Sequence, residues 1–338
     1  MLRRWLAVLL RAASLFTTMG PMRSADAAGE VPILRGLNFP GDFTVGSDGT
    51  VVYAETYIAR LSEFSPRTGR TSVLLTLPNA SEIFGVAIHP TKGWIYFTAI
   101  VNVPGGQHTQ LFRLVNGSVS LLVDFGPKIS GGRLLFGPDG MLYLVLGDRN
   151  NSSNSQNLRN PFGKVLRMTD DGSPAPGNPI AGSRIFAYGI RNSFGMGFDP
   201  KSSLLWLTDN GPKCNDEIDL IRQGGNYGWG PTETCATPPP APRDTNRDGQ
   251  APTLPVLWMR RTVAPTGLAF TPSGRLLYGT YNTRSIRQVT LNSNRTAAAS
   301  DQLLLRHSDH VLSVERGGDG QMYFSDETSI YRLQVSGS

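Results

Sequence analysis

Apolar and polar residues alternate in a repeated unit along most of the chain. Each unit joins two alternating stretches through a turn rich in Pro, Asp and Gly, and the second stretch contains an aromatic residue. Alternation with a period of two, interrupted by such turns, predicts β-hairpins. The aromatic residues, which are spaced 43, 47, 63, 72 and 45 residues apart, are Tyr53, Tyr96, Tyr143, Trp206, Tyr278 and Tyr323.

A further strand pattern follows most of these hairpins, with an arginine between apolar residues, as at Leu111–Leu114 and Ile330–Leu333. Four strands in about 45 residues is the size of a propeller blade. Six repeats therefore predict an all-β fold, a six-bladed β-propeller of four-stranded antiparallel blades. The ring must be closed, so we expect a strand near Val31–Leu37 to pair into the last blade. The two long spacings hold polar insertions at 147–182 and 223–256, which we expect to be loops.

The first 27 residues have the pattern of a secretion signal. Arg3 and Arg4 precede the apolar run Trp5–Leu10, and Ala25-Asp26-Ala27 fits a cleavage site. A transit peptide is the alternative for this arginine-containing segment. An exported chain would be secreted or periplasmic, with residues 28–338 forming one propeller domain. No later apolar run reaches the roughly 18 residues of a membrane span.

Charge and cysteine content add two expectations. Removal of residues 1–27 takes away four Arg and one Asp, so the formal net charge falls from +6 to +3. The remaining basic residues are scattered, which does not favour nucleic-acid binding. Cys214 and Cys235 are the only cysteines, and in an oxidising compartment they predict a disulfide. Two buried thiols are the alternative.

Two polar segments carry candidate metal chemistry. The stretch Thr208–Trp229 combines four glycines with an Asp-Glu pair and several amide side chains, a composition typical of sharp turns and ligand contact. The loop 244–249 reads D-x-N-x-D-G, so Asp244, Asn246 and Asp248 are candidate calcium ligands. Position twelve of that loop is Pro255, which excludes an EF-hand. An ordinary polar loop is the alternative.

Three motifs together resemble the soluble glucose/sorbosone dehydrogenases. They are Gly131–Gly140 leading to Gly147-Asp148, the run Tyr188–Asn192, and the stretch Thr208–Trp229. The similarity extends over residues 32–335. The resemblance implies a six-bladed propeller that uses pyrroloquinoline quinone (PQQ) and calcium to oxidise aldose sugars, with a small polar ligand at the mouth of the channel.

The resemblance also implies roles for individual residues. Arg191 corresponds to the arginine that stabilises the developing oxyanion, and a guanidinium suits this role because it stays charged. Asp148 corresponds to the aspartate of the Gly-Asp motif in the catalytic region. Cofactor contacts are implied for Arg191, Asn192 and Asn210. The carbonyls of Gly211 and Pro212 would bind the calcium beside the cofactor. Main-chain atoms around Glu217 and Tyr227 would hold a second, structural ion.

The chain departs from the family pattern at the catalytic base. The family histidine lies four residues before the arginine of the Gly-Arg motif, and Ile129 occupies this position. An isoleucine cannot accept a proton. Asn282 and the pair Asp309-His310 stand where cofactor-binding cations are expected. Three functions stay open: a PQQ- and calcium-dependent sugar oxidoreductase, a catalytically silent carbohydrate- or protein-binding propeller, and a calcium-dependent lactonase-like hydrolase.

Overall fold

A computed structural model describes residues 28–129, 132–232 and 246–335. The predicted secretion signal lies outside the described residues. The described chain forms six four-stranded antiparallel sheets arranged as the blades of a propeller, which confirms the predicted fold. In these residues no helix is long and apolar enough to cross a membrane.

The strands follow one another blade by blade, after a first strand β1 (Gly29–Arg35). Blade 1 has β2 (Asp42–Val45), β3 (Val51–Glu55), β4 (Arg60–Ser65) and β5 (Arg70–Thr76), with a 3-10 turn at Thr56–Ile58. Blade 2 has β6 (Ala80–Ile88), β7 (Ile95–Val103), β8 (Gly106–Val115) and β9 (Ser118–Pro127). Blade 3 has β10 (Leu134–Phe136), β11 (Leu142–Leu146), β12 (Lys164–Met168) and β13 (Ile185–Tyr188), with a short helix α1 (Ser153–Gln156).

The second half of the ring repeats this plan. Blade 4 has β14 (Gly195–Phe198), β15 (Leu205–Asp209), β16 (Asp216–Ile221) and β17 (Leu257–Met259). Blade 5 has β18 (Pro265–Phe270), β19 (Leu276–Thr280), β20 (Ser285–Leu291) and β21 (Ala298–Arg306). Blade 6 has β22 (Ser313–Arg316), β23 (Met322–Ser325) and β24 (Ser329–Gln334).

The N-terminal strand completes the last blade. β1 pairs antiparallel with β24, from Gly29 opposite Gln334 to Arg35 opposite Ser329. This confirms the predicted closure, two residues earlier in the chain than the sequence suggested. A closed ring leaves no blade with an uncovered flank at the join.

The repeated aromatic residues lie on the second strand of each blade and are buried. Several face the arginine of the third strand, as Tyr143 faces Arg167 and Tyr323 faces Arg332. The hydroxyl of Tyr143 donates to Asp139 of the preceding turn at 2.9 Å. The hydroxyl of Tyr323 likewise donates to Asp319 of its own preceding turn at 2.7 Å, so two of the repeats share this hydrogen-bonded turn.

The apolar core lies between neighbouring blades rather than within one. The largest cluster joins residues of blades 2 and 3, and the others join each following pair around the ring. The first strand of every blade contacts the first strands of its neighbours. These six strands form the wall of the central channel, and they all begin at the same end of it.

Candidate functional site

A cavity of ≈ 630 Å³ opens at the end of the channel where the six inner strands begin. Loops and strand ends of all six blades line it, so it is assembled from distant parts of the sequence. One lining residue from each of blades 1 to 6 is Asp42, Glu82, Arg133, Asn210, Tyr281 and Leu312. Such a mouth is the usual ligand site of a propeller.

Arg133 closes the bottom of this cavity. Its buried guanidinium forms ion pairs with Asp42 and Glu315, and it donates to the hydroxyl of Ser313 at 2.9 Å. Burial pushes the pKa of Asp42 up and the pKa of Arg133 down, and the ion pair between them opposes both shifts. The charge of Arg133 is therefore compensated by carboxylates of the protein, and these contacts link blades 1, 3 and 6.

Arg191 is a second cation of the lining, and its guanidinium forms no ion pair among the described residues, although its charge acts on Asp209 and Asp216. Its Nη1 donates to the carbonyl of Asn210 at 2.7 Å, and its guanidinium carbon lies 5.6 Å from the centre of the Trp229 ring. The backbone N–H groups of Arg191 and Asn192 donate to the two oxygens of Asp209 at 2.8 and 2.6 Å. Arg191, Asn192 and Asn210 all line the cavity, and their contact with a cofactor stays a prediction.

Asp148 contacts the Trp229 side chain, and its catalytic role stays a prediction. It is buried and is not among the residues that line the cavity. Its carboxylate accepts hydrogen bonds from the indole N–H of Trp229 at 2.9 Å and from the backbone of Asn150 at 2.8 Å. Since the Trp229 ring faces Arg191, Asp148 acts on the cavity as a positioning residue.

Gly211 and Pro212 both line the cavity, at the turn between β15 and β16. The backbone N–H of Gly211 donates to Asp216 at 3.1 Å, which fixes the turn. A Cβ atom on Gly211 would lie 1.5 Å from the carbonyl oxygen of Cys214, so only glycine fits. Burial raises the pKa of Asp216, and backbone N–H groups oppose that shift. Calcium binding by the two carbonyls stays a prediction.

A cluster of three buried carboxylates lies behind this turn. Glu217 stands opposite Asp209 in the ladder, and Asp219 follows on the same face of β16. Their oxygens lie within 4.8 Å of one another. Both oxygens of Asp219 and Oε2 of Glu217 have no hydrogen-bond partner. Burial raises the pKa of Asp209 to about 7, and burial together with neighbouring carboxylates raises the pKa of Glu217 and Asp219 well above their usual values.

Such an arrangement suits a hard cation, which prefers several carboxylate oxygens. The sequence pointed to Glu217 but missed Asp209 and Asp219. A signal was present, because acidic residues at alternating positions of a buried strand have to face the same side. The ladder partner on β15 could not be found without the register.

The candidate ligands of the predicted calcium loop make contacts in two different places. Asn246 reaches the carboxylate cluster and donates to Glu217 Oε1 at 2.6 Å. Asp248 instead accepts hydrogen bonds from the backbone and hydroxyl of Thr232 at 2.8 and 2.6 Å. Asp244 lies outside the described residues. The three side chains therefore do not form one ligand set as far as the described residues show.

Tyr227 and Cys214 are both buried next to this region. The hydroxyl of Tyr227 donates to the carbonyl of Leu220 at 2.7 Å, which anchors the turn that carries Trp229. The role of its main-chain atoms in ion binding stays a prediction. Cys235 lies outside the described residues, so the disulfide with Cys214 also stays a prediction.

Ile129 does not face the cavity. Its side chain is buried in the core cluster between blades 2 and 3, and its backbone N–H donates to the Thr109 hydroxyl at 2.9 Å. Neighbours in that cluster are Leu134, Leu146 and Phe162. The position therefore contributes to packing, and no proton-accepting group stands there.

The other departures from the family pattern lie around Tyr281. Asn282 and Tyr281 line the cavity. His310 stacks on the Tyr281 ring at 3.9 Å and donates through Nδ1 to the Tyr281 carbonyl at 2.8 Å. The Tyr281 hydroxyl donates to Glu327 at 2.9 Å. This rim is polar, and it contributes no cationic side chain of Lys or Arg among these residues.

Comparisons of the sequence with a family model and with known proteins point to the same family. The sequence model of glucose/sorbosone dehydrogenase matches residues 80–333. The chain is 31% identical over 231 residues to aldose sugar dehydrogenase YliI of Escherichia coli, a match that covers 62% of this chain and 62% of that protein. Quinoprotein glucose dehydrogenase B of Acinetobacter calcoaceticus is 27% identical over 245 residues, or 58% of this chain and 51% of that protein.

The fold comparison agrees. The PQQ-bound aldose sugar dehydrogenase of Streptomyces coelicolor superposes with a TM-score of 0.77 at 24% identity, covering 91% of this chain and 98% of that one. The chain spans about three fifths of the length of the Escherichia coli relative. At these identities the structural likeness concerns the architecture of the ring.

Proposed function

We propose that this chain, which belongs to the glucose/sorbosone dehydrogenase family, oxidises a hydroxyl group of a sugar or related alcohol in the cavity at the channel mouth. The observation that carries the proposal is the convergence of Arg191, Asn192, Asn210, Gly211 and Pro212 on that one cavity. These residues come from two loops that the family motifs mark. The leader pattern of residues 1–27 supports an extracytoplasmic location.

The cavity has a volume typical of a cofactor or small-molecule site, and Arg191 offers a cation to an anionic cofactor. PQQ is a planar tricarboxylate, and when bound it supplies the two-electron acceptor for the hydride of the alcohol. A divalent ion at the carbonyls of Gly211 and Pro212 and the guanidinium of Arg191 would together balance the three carboxylates. Arg133 does not contribute, because Asp42 and Glu315 already compensate its charge.

Arg191 is the residue we propose to stabilise the developing alkoxide of the substrate. Its hydrogen bond to the Asn210 carbonyl and the Trp229 ring beneath it fix its direction before a ligand arrives. A preorganised cation in a cavity with little water is more effective than a mobile one. Asp148 supports this arrangement through Trp229.

We assign a structural calcium ion to the cluster of Asp209, Glu217 and Asp219. Both oxygens of Asp219 and one oxygen of Glu217 are buried without a hydrogen-bond partner, which is costly for ionised groups unless a cation compensates them. Their oxygens are close enough together to share one ion. This ion would brace blade 4 directly behind the Gly211–Pro212 turn, so its role is to hold the cavity wall.

The decisive experiment is a titration of the purified, calcium-loaded protein with PQQ, followed by dye reduction with aldoses. We expect bound-quinone absorbance and turnover, and an Arg191→Met variant should lose about 10²–10³ in kcat. Arg159→Met is the matched control, because Arg159 is exposed and does not line the cavity. Absence of quinone binding at tens of micromolar would refute the oxidoreductase.

A catalytically silent binding propeller is the second candidate. The burial of Ile129 in the core favours it, because the expected base is replaced by a packing residue. Calorimetric binding of an aldose without any dye reduction, in the presence of PQQ and calcium, would support this function. Chelator-sensitive hydrolysis of a lactone would instead support the hydrolase.

A further inference from the structure

Three carboxylates line the cavity among the described residues, namely those of Asp42, Glu82 and Asp216. A group that takes a proton from a substrate must be within hydrogen-bond reach of it and must have an oxygen to spare. The hydrogen-bond partners of the three carboxylates therefore decide which of them is available.

Asp42 and Asp216 are already committed to the fold. Asp42 accepts hydrogen bonds from two backbone N–H groups, of Phe43 at 3.0 Å and Val86 at 2.7 Å, and it pairs with Arg133. Asp216 accepts from three backbone N–H groups, those of Gly211, Val263 and Ala264. Both side chains are buried, and a proton on either would disrupt the loops that they hold.

Glu82 differs from both in its surroundings. It lies on the inner strand β6, and its side chain is 19% exposed. Oε1 accepts a hydrogen bond from the ammonium group of Lys128, and Oε2 has no hydrogen-bond donor among the described residues. The strand is irregular here, with a register shift between Ala80 and Glu82. Such an irregularity re-aims a side chain.

Lys128 fixes the position of Glu82, because its ammonium group donates a hydrogen bond to Oε1. Two hydrogen bonds fix the backbone of Lys128. Its N–H donates to the Gln107 carbonyl at 2.7 Å, and its carbonyl accepts from the side chain of Arg149 at 3.1 Å. Lys128 directly precedes Ile129. The ion pair of Glu82 and Lys128 therefore lies next to the position where the family histidine is missing.

We infer that Glu82 is the general base of this enzyme and accepts the proton of the substrate hydroxyl at Oε2. The inference rests on the proposed function. In the step, the O–H bond breaks and its proton goes to Glu82, the C–H bond breaks and its hydride goes to the quinone oxidant, and a C=O bond forms. Glu82 then returns the proton to water, with Lys128 retaining its own charge.

The first test uses the full chain loaded with calcium and PQQ. Glu82→Gln keeps the shape and removes the base, so we expect kcat to fall about 10²–10⁴-fold with unchanged quinone binding. Formate or acetate should restore part of the activity of Glu82→Ala, which a purely structural role would not allow. Glu63→Gln is the control, because Glu63 lies on the third strand of blade 1, does not line the cavity, and accepts a hydrogen bond from Ser72 at 3.3 Å. Turnover by Glu82→Gln above about half of the wild-type rate overturns the inference.

The second test needs no turnover. Titration of the cofactor-free protein with an aldose measures the hydrogen bond from the sugar hydroxyl to the carboxylate. We expect Glu82→Gln to weaken binding about tenfold, with Glu63→Gln unchanged. Equal affinity of wild type and Glu82→Gln overturns the assignment of Glu82 alone. A wild-type protein that neither binds aldoses nor reduces dye overturns it together with the proposed function.

Discussion

Two buried clusters of ionisable side chains, one in blade 6 and one in blade 4, are compensated in opposite ways. In blade 6, His307 lies between two carboxylates, with Nδ1 2.8 Å from Glu30 and Nε2 3.0 Å from Asp326. In blade 4, Asp209, Glu217 and Asp219 face one another without a cationic side chain among them.

The two clusters also differ in what they join. Glu30 belongs to the closing strand β1, while His307 follows blade 5 and Asp326 lies between the last two strands of blade 6. The protein supplies both signs of charge for this join. Blade 4 supplies one sign only, so its carboxyl groups either take up protons or bind a cation from solution. The blade 6 cluster is therefore complete within the protein, whereas the blade 4 cluster is a candidate cation site.

The largest expected effect is calcium dependence at blade 4. Calcium at about 1,000-fold above its Kd should stabilise the protein by about 4 kcal/mol, because the ion compensates three buried carboxylates. Denaturation with and without chelator, at constant ionic strength, measures this difference. Magnesium at the same concentration is the control, since it dehydrates reluctantly and prefers fewer protein ligands. Equal stability with and without chelator would mean that the blade 4 cluster, like the blade 6 cluster, does not depend on calcium.

Breaking the blade 6 cluster should have the next largest effect. His307→Leu leaves two carboxylates facing an apolar side chain, and we expect a loss of about 3 kcal/mol in the free energy of unfolding. Chemical denaturation provides the measurement. Glu30→Gln should cost less, because the Glu30 side chain is 32% exposed whereas that of Asp326 is 4% exposed. The loss should not depend on calcium, and a calcium-dependent loss would contradict the independence of the two clusters.

Asp219→Asn distinguishes the two clusters further, because its effect on the free energy of unfolding should change sign when calcium is bound. Without calcium it removes the repulsion between Asp219 and the neighbouring carboxylates of Asp209 and Glu217, so the free energy of unfolding should rise by about 1–2 kcal/mol. With calcium it removes a ligand, so the stabilisation by the ion should fall. Melting temperatures of both proteins with calcium and with chelator measure the two effects, with Glu63→Gln as the matched control. Destabilisation in both conditions would indicate that Asp219 has a purely structural role.

The sequence predicted the ring and its closure because both depend on local information. Alternating apolar residues, turn residues and an aromatic residue recur within each hairpin, and the closing strand follows from the missing fourth strand of the last blade. The family motifs likewise identified Arg191 and Asn210, since their loops precede or follow short, regular strands.

Glu82 and Asp148 show where sequence reasoning stops. Glu82 lies beside a register shift in β6, and such a shift breaks the period of two that assigns side chains to faces. Asp148 belongs to a family motif, but its carboxylate accepts a hydrogen bond from Trp229, which is 81 positions away along the chain. Long-range partners of this kind decide whether a polar side chain is available to a ligand, and neither spacing nor composition specifies them.

The smallest expected effect is a pH dependence that belongs to blade 6 alone. Burial by itself lowers the pKa of His307, but the hydrogen bonds to Asp326 and Glu30 outweigh it and raise the pKa above the usual value. A histidine with a raised pKa in the folded state stabilises the protein fully below its unfolded pKa of about 6.5. That contribution is lost as the pH rises through the folded pKa. The difference in melting temperature between wild type and His307→Gln should therefore shrink from pH 6 towards alkaline pH, at saturating calcium. A difference that stays constant over this range would mean that folding does not shift the pKa of His307 and that hydrogen bonding, rather than charge, holds the closing strand.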